Sequence, residues 1–222
     1  MTVRRLVDLS HAIASGMITY PGLPAPLVSD FLSREESKAR YAAGTSFQIG
    51  RIEMVTNTGT YLDAPFHRLE EGADIAALPL ERIADLPGIV VEARHSPGRA
   101  LGREIFGGDE LSGRAVIVRT GWSRHWGTEA YGVDHPYLDR DASQFLVAGG
   151  AALVGIDTLN IDDTRDGTRP AHTLLLSAGI PIVEHLCNLE ELPVSGFRFH
   201  CAPAPFRGAG SFPVRAYAVF GA

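Results

Sequence analysis

The chain has 222 residues, 45% of them apolar, and a formal net charge of −6. That is ample for a packed core and excludes a disordered chain. The basic residues form no cluster, which excludes nucleic acid and anionic membranes as partners.

No stretch approaches the roughly 18–20 consecutive apolar residues of a membrane span. The opening MTVRRLVDLSHAIASGM has two arginines but no long apolar run, so it does not read as a signal peptide. Cys187 and Cys201 form no secreted disulfide framework. A cytoplasmic protein with reduced thiols is expected. The length suits one domain spanning residues 1–222, and 24 Gly with 14 Pro indicate many turns, as in a β-rich mixed fold.

In chain order, RRLVDLSHAI reads as a strand and GMITYPGLPAP as a loop that Pro and Gly keep irregular. SREESKARYAAG reads as a short helix or exposed loop. TSFQIGRIEMVTNTGTYLDAP alternates apolar and polar residues and predicts a strand or hairpin. IADLPGIVVEAR is a buried-type strand after a turn, LGREIFGGDELSG a loop with a short helix, and Ala115–Arg119 a second strong strand. DASQFLVAGGAALVGIDT predicts helix, turn, then a strand over Ala151–Ile156. The pattern repeats with a helix over Leu174–Ala178, Gly179 just past its end, and a strand over Ile180–Glu184. FPVRAYAVF is read as one closing strand.

Three stretches carry candidate chemistry. In TNTGTYLDAPFH, residues 56–67, Asn57, Tyr61, Asp63 and His67 have metal-site spacing, although Asn and Tyr are poor ligands. The turn can aim Asp63 and His67 into one cavity; equally, Asp63 caps a turn and His67 lies on the surface. In IDTLNIDDTRDGTRPAH, Asp157, Asp162, Asp163 and Asp166 follow a strand. For most of them helix-end polarity or a solvated acidic loop is the simpler reading. Glu184 stands inside an apolar strand, where a carboxylate needs a partner, an arginine or a metal. His185 beside it is expected on the opposite face. Trp122 and Trp126 read as packing residues; His11, His95, His125, His135 and His200 read as structural or exposed. There is no GxSxG, HExxH, CxxC or phosphate loop.

Four separated segments together resemble one family. VDLSHAIASGMITYPG resembles its opening strand and substrate loop, and NTGTYLDAPFH its signature His-x-Gly-Thr-His-x-Asp-x-Pro-x-His. VGIDTLNID and HTLLLSAGIPIVEHLCNLEEL resemble its later metal-binding segment, and GAGSFPVRAYAV its closing strand. This is the cyclase family of metal-dependent hydrolases, which includes bacterial kynurenine formamidase and isatin hydrolase.

The resemblance implies an α/β fold, a swivelling β/β/α domain with a mixed, barrel-like β core, assembled as a homodimer or homotetramer. It implies Asp63, His172 and Glu184 as metal ligands, His67 as proton shuttle, and Tyr20 as an aromatic against the substrate; the side chains of Tyr20, Phe66 and Trp122 themselves suggest an aromatic or planar apolar small molecule. The signature's two leading histidines are here Asn57 and Tyr61. Both nitrogen ligands of the family's first metal are therefore gone, while the second position keeps three ligands. One divalent metal per chain, zinc or manganese, would serve hydrolysis of an amide, lactam or lactone, with Asn57 and Tyr61 as oxyanion donors. Alternatives are a metal-independent acid–base cyclase, dehydratase or isomerase in the same pocket, or a noncatalytic small-molecule binding protein.

Overall fold

The computed structural model describes residues 3–108 and 110–221. Nine strands form one mixed sheet. In chain order they are β1 (Arg5–Asp8), then, after the two-stranded ribbon of β2 (Leu27–Leu32) and β3 (Ile49–Glu53), β4 (Tyr61–Asp63) and β5 (Leu86–Glu92). After a short β6 (Ala100–Leu101) come β7 (Ala115–Arg119) and, past β8 (Tyr137–Leu138), which pairs with β6, β9 (Leu153–Ile156). β10 (Ile182–Glu184), β11 (Ser195–His200), β12 (Ser211–Pro213) and β13 (Tyr217–Phe220) complete it. The helices are α1 (Arg34–Lys38), α2 (Arg140–Ala148) and α3 (Pro170–Ser177).

The strand order is β1-β13-β11-β5-β7-β9-β10-β4-β12. Laid flat, β13 and β12 would lie seven strand spacings apart, roughly 34 Å. Only Val214, Arg215 and Ala216 connect them, a reach of about 15 Å at most. The sheet must therefore curl until its two ends meet. The seam is stitched where the chain after β1 meets the chain after β10: Cys187 N–H donates to Leu9 O (3.0 Å), and Ser10 bridges Leu186. The barrel-like β core is thus present.

Alternation along the strands divides the core. Leu62, Val90, Ile117, Leu153, Val183 and Phe199 fill the inside of the curl. Their neighbours Ile89, Val91, Val116, Val118, Val154 and Ile182 face outward against Leu146 of α2 and Leu175 and Leu176 of α3. Inside, Gly88 lies opposite Phe197, whose ring comes within 2.0 Å of where a Cβ on Gly88 would stand. We expect Gly88→Ala to cost about 1–3 kcal/mol through overpacking. A thermal melt within a degree of wild type would contradict this.

Several elements differ from the sequence reading. β3 pairs with β2, which LVSDFL gave no cause to expect, rather than with β4. FPVRAYAVF is two strands, because the chain crosses from one end of the sheet to the other after Pro213. α3 begins four residues early, with Pro170 in its first turn, so His172 is inside the helix rather than before it. Cys187 and Cys201 are both free and buried. No helix among the described residues is long and apolar enough to cross a membrane.

Candidate active site

β4 and β10 pair antiparallel, Tyr61 opposite Glu184 and Asp63 opposite Ile182. Side chains alternate along each strand, and directly opposed residues share a face. Tyr61, Asp63 and Glu184 therefore project together toward α3, while Leu62 and Val183 enter the curl. His172 comes from the first turn of α3 and meets them.

Asp162 sets that meeting. Its carboxylate accepts the backbone N–H of Ala171 (2.7 Å) and His172 (3.1 Å), capping α3, and the ring Nδ1–H of His172 (2.6 Å). With Nδ1 so occupied, Nε2 is the ring nitrogen left to meet the other carboxylates. It faces Asp63 Oδ2 and Glu184 Oε1, each at 3.6 Å. His67 ends a single 3₁₀ turn, Pro65–His67, and its Nδ1 is 3.6 Å from Asp63 Oδ1. The His67 and His172 ring centroids lie 5.7 Å apart. Gly210 packs on His67; a Cβ there would stand 2.6 Å from the His67 Cα.

The two positions that differ from the family signature are donors to these carboxylates. Tyr61 O–H donates to Glu184 Oε2. Asn57 Oδ1 accepts from Ser211 Oγ (2.8 Å), which turns the amide Nδ2 toward Asp63 Oδ1 (3.5 Å). Burial, with Glu184 and Asp63 adjacent, pushes the Tyr61 phenol further above its usual range. Its proton is given to Glu184, so Tyr61 fixes that carboxylate and is not a free oxyanion donor. Among the described residues Glu184 pairs with no arginine: Oε1 accepts Ile161 N–H (2.6 Å). Ligand atoms of Asp63, His67 and His172 lie within 4.8 Å of one another, so His67 stands closer to the ligand set than the sequence reading placed it.

These residues open on a cavity of about 330 Å³ lined by Asn57, Tyr61, His67 and His172 together with Tyr20, Leu23, Arg68, Asn160 and Arg169. Phe66 is half-buried and outside this lining. One residue in a 3₁₀ turn is a rotation of about 120°, so adjacent Phe66 and His67 cannot face the same way. The arginines and Asn160 had no local signal in the sequence.

Two of the four loop aspartates are buried, not solvated. Asp162 is described above. Asp157 accepts Thr120 N–H (2.9 Å), Thr120 Oγ–H (2.6 Å) and Gly121 N–H (2.7 Å), clamping the end of β7. Asp163 is half-buried and Asp166 exposed.

His185 also departs from expectation. Its φ of 58° ends the strand at Glu184, so alternation no longer applies. The ring packs 5.2 Å from Tyr61 and shares a 2.9 Å hydrogen bond with the Tyr131 hydroxyl. Trp126 stacks on His11 at 3.8 Å and edges onto His185. Burial holds His185 down at about 3. A folded pKa below the ordinary 6.5 means the unfolded chain takes the proton first. The resulting stability is full above pH 6.5 and is lost as pH falls toward 3, at about 1.4 kcal/mol per unit for one proton. We expect the melting temperature to fall from pH 6.5 to 4, less steeply in His185→Gln; parallel profiles would contradict this.

A curled mixed sheet presenting carboxylates and imidazoles to a small cavity defines a hydrolase scaffold. The Cyclase family model matches residues 7–163, and the chain belongs to the cyclase family of metal-dependent hydrolases. It is similar to a kynurenine formamidase of Bacillus cereus, 26% identical over 97% of this chain and 98% of the relative. A solved structure titled as a potential metal-dependent hydrolase with cyclase activity matches with TM-score 0.81 and 25% identity, covering 98% of each chain. Isatin hydrolase A from Labrenzia aggregata shares the fold, with TM-score 0.83, 23% identity, and 99% of this chain and 94% of the other covered.

Proposed function

We propose that this chain hydrolyses the amide, lactam or lactone carbonyl of a small, flat compound, in the manner of an arylformamidase. The observation that carries this reading is the convergence of Asp63, His172 and Glu184, with His67 beside them, on one cavity. The names of the similar proteins, kynurenine formamidase and isatin hydrolase, point to the same kind of bond.

What supports one divalent cation, zinc or manganese, is that ligand atoms of Asp63, His67 and His172 lie within 4.8 Å of one another, with Glu184 Oε1 3.6 Å from His172 Nε2. Asp63 Oδ2 is buried without a hydrogen-bond partner, and His172 Nε2 is aimed between two carboxylates. Asp63, His172 and Glu184 would hold the ion, which when bound supplies an acidified water and a polarised carbonyl. The remaining work belongs to this chain's side chains. His67 takes the proton of the attacking water and returns it to the departing amine or alkoxide. Asn57 keeps one amide hydrogen for the developing oxyanion, where one donor is typically worth about 3 kcal/mol. Tyr61 holds Glu184 in place, and Tyr20 borders the substrate.

One observation favours a second reading, a metal-free acid–base site for cyclisation, dehydration or isomerisation. Burial opposes charge on His172, yet Asp162, Asp63 and Glu184 together raise it to about 10. That imidazolium balances the carboxylates by itself. Burial and Asp63 outweigh it at Glu184, which is raised to about 7 and so offers a proton near neutrality.

Elemental analysis, with turnover of N-formyl arylamines and isatin before and after chelation, tests both. About one zinc or manganese per chain and chelator-sensitive hydrolysis are expected. Undiminished turnover without metal would favour the second reading, and no hydrolysis of any such carbonyl by metal-loaded protein would overturn the first. The proposal extends to assembly and location. Phe31, Ile52 and Leu27 are 72%, 63% and 55% exposed on the β2–β3 ribbon, which supports a homodimer or homotetramer. The free thiols suit the cytoplasm.

A further inference from the structure

The cavity lining includes His67 and His172, behind which the carboxylates of Asp63 and Glu184 lie fully buried, together with Arg68 and Arg169. Neither arginine is spent on a carboxylate among the described residues. Arg169 Nη1 donates to Asn160 Oδ1 and to Asp163 O, both at 3.3 Å. The Asp163 carboxylate itself goes to Arg99 and Arg165. Arg68 Nε donates to Thr173 Oγ1 at 3.1 Å.

Thr173 joins the two. Its hydroxyl accepts from Arg68 and donates to the Arg169 backbone carbonyl at 2.8 Å. Arg169 is the residue just before α3, with φ 49° and ψ 61°, a left-handed conformation that a side-chain-bearing residue rarely adopts. The Arg68 guanidinium and the Arg169 backbone are thereby tied to the first turn of α3, the turn that carries His172, while the Arg169 guanidinium is held by Asn160 and the Asp163 carbonyl. Two cations are fixed relative to the reacting centre, with donors left for a ligand.

We propose that the substrate carries a carboxylate at the end remote from the bond that breaks, and that Arg68 and Arg169 bind it. This rests on the hydrolase reading above and names its substrate class. A guanidinium fork matches a carboxylate with two parallel hydrogen bonds. With its carboxylate on the arginines, the molecule's carbonyl lies toward His67 and His172, which line the same cavity. A volume of about 330 Å³ suits one small aromatic acid. Thr173 is a positioning residue, acting through both arginines.

The test uses the metal-supplemented full chain with the ortho, meta and para isomers of formamidobenzoate, each beside its methyl ester. Wild type should prefer at least one acid to its ester. Arg169→Met and, separately, Arg68→Met should raise the acid's KM roughly 10–100-fold beyond any change in the ester's, with kcat for the acid much less affected. Thr173→Val should shift the same ratio less. Equal loss for acid and ester in both arginine variants, or a wild-type preference for every ester, would overturn the proposal. If wild type hydrolyses none of the compounds, the reaction assignment fails, and calorimetric titration with benzoate and methyl benzoate decides the carboxylate site alone. Tighter benzoate binding that weakens in Arg68→Met and Arg169→Met would uphold it, and indifference to either substitution would sink it.

Discussion

His67→Gln should lower kcat/KM by roughly 10²–10⁴-fold while the protein stays folded and keeps its metal. His67 is the most exposed member of the group, its side chain 35% accessible, and it touches the cavity and Asp63 but supports no core. Glutamine preserves size and hydrogen bonding and removes the ability to accept and return a proton. Metal content measured on the same sample divides two roles. If the ion is lost along with the rate, His67 is a ligand, as its proximity to Asp63 and His172 permits. Wild-type turnover would remove it from the mechanism altogether.

Asp63→Asn should be at least as damaging, roughly 10³–10⁴-fold in kcat, the scale that follows when a buried carboxylate orienting an imidazole is neutralised. Asp63 is fully buried, yet its partners are distant: His67 and His172 at 3.6 Å and Asn57 at 3.5 Å. Such a charge is held for chemistry at a cost to folding. The metal-free variant should accordingly melt at or above the temperature of the metal-free wild type, as repulsion between Asp63 and Glu184 is relieved. Metal binding should fall sharply. A variant that unfolds would show Asp63 to be structural, and one with wild-type rates would show it to be idle.

What the sequence disclosed followed from local pattern. The run Ala115–Arg119 is β7, and Leu153–Ile156 and Ile182–Glu184 lie within their expected strands, because each is a short apolar run between turns. β2 is largely exposed, and its apolar residues come in the pairs Leu27-Val28 and Phe31-Leu32 rather than in alternation, so it carried no such pattern. β11 had one, the alternation Phe197-Arg198-Phe199, which the reading passed over. The burial of Asp157 was illegible because its donors come from Thr120 and Gly121, 37 and 36 residues away. Glu184 was conspicuous as a carboxylate in an apolar run, but its partnership with Tyr61 depends on strand register. Arg68 and Arg169 are ordinary loop residues until α3 brings them to one wall.

The pleat of β4 and β10 has a further consequence. Leu62 and Val183 hold the inside of the curl, whereas Tyr61, Asp63 and Glu184, on the reverse, owe it little. A member of the outward set can be exchanged without disturbing the scaffold, as Tyr61, which stands where the family signature has His, illustrates. A single-residue slip in β4 would instead turn Tyr61 and Asp63 inward together, and one in β10 would do the same to Glu184. The strand pair is a keyboard, tolerant of a changed key and intolerant of a shifted hand.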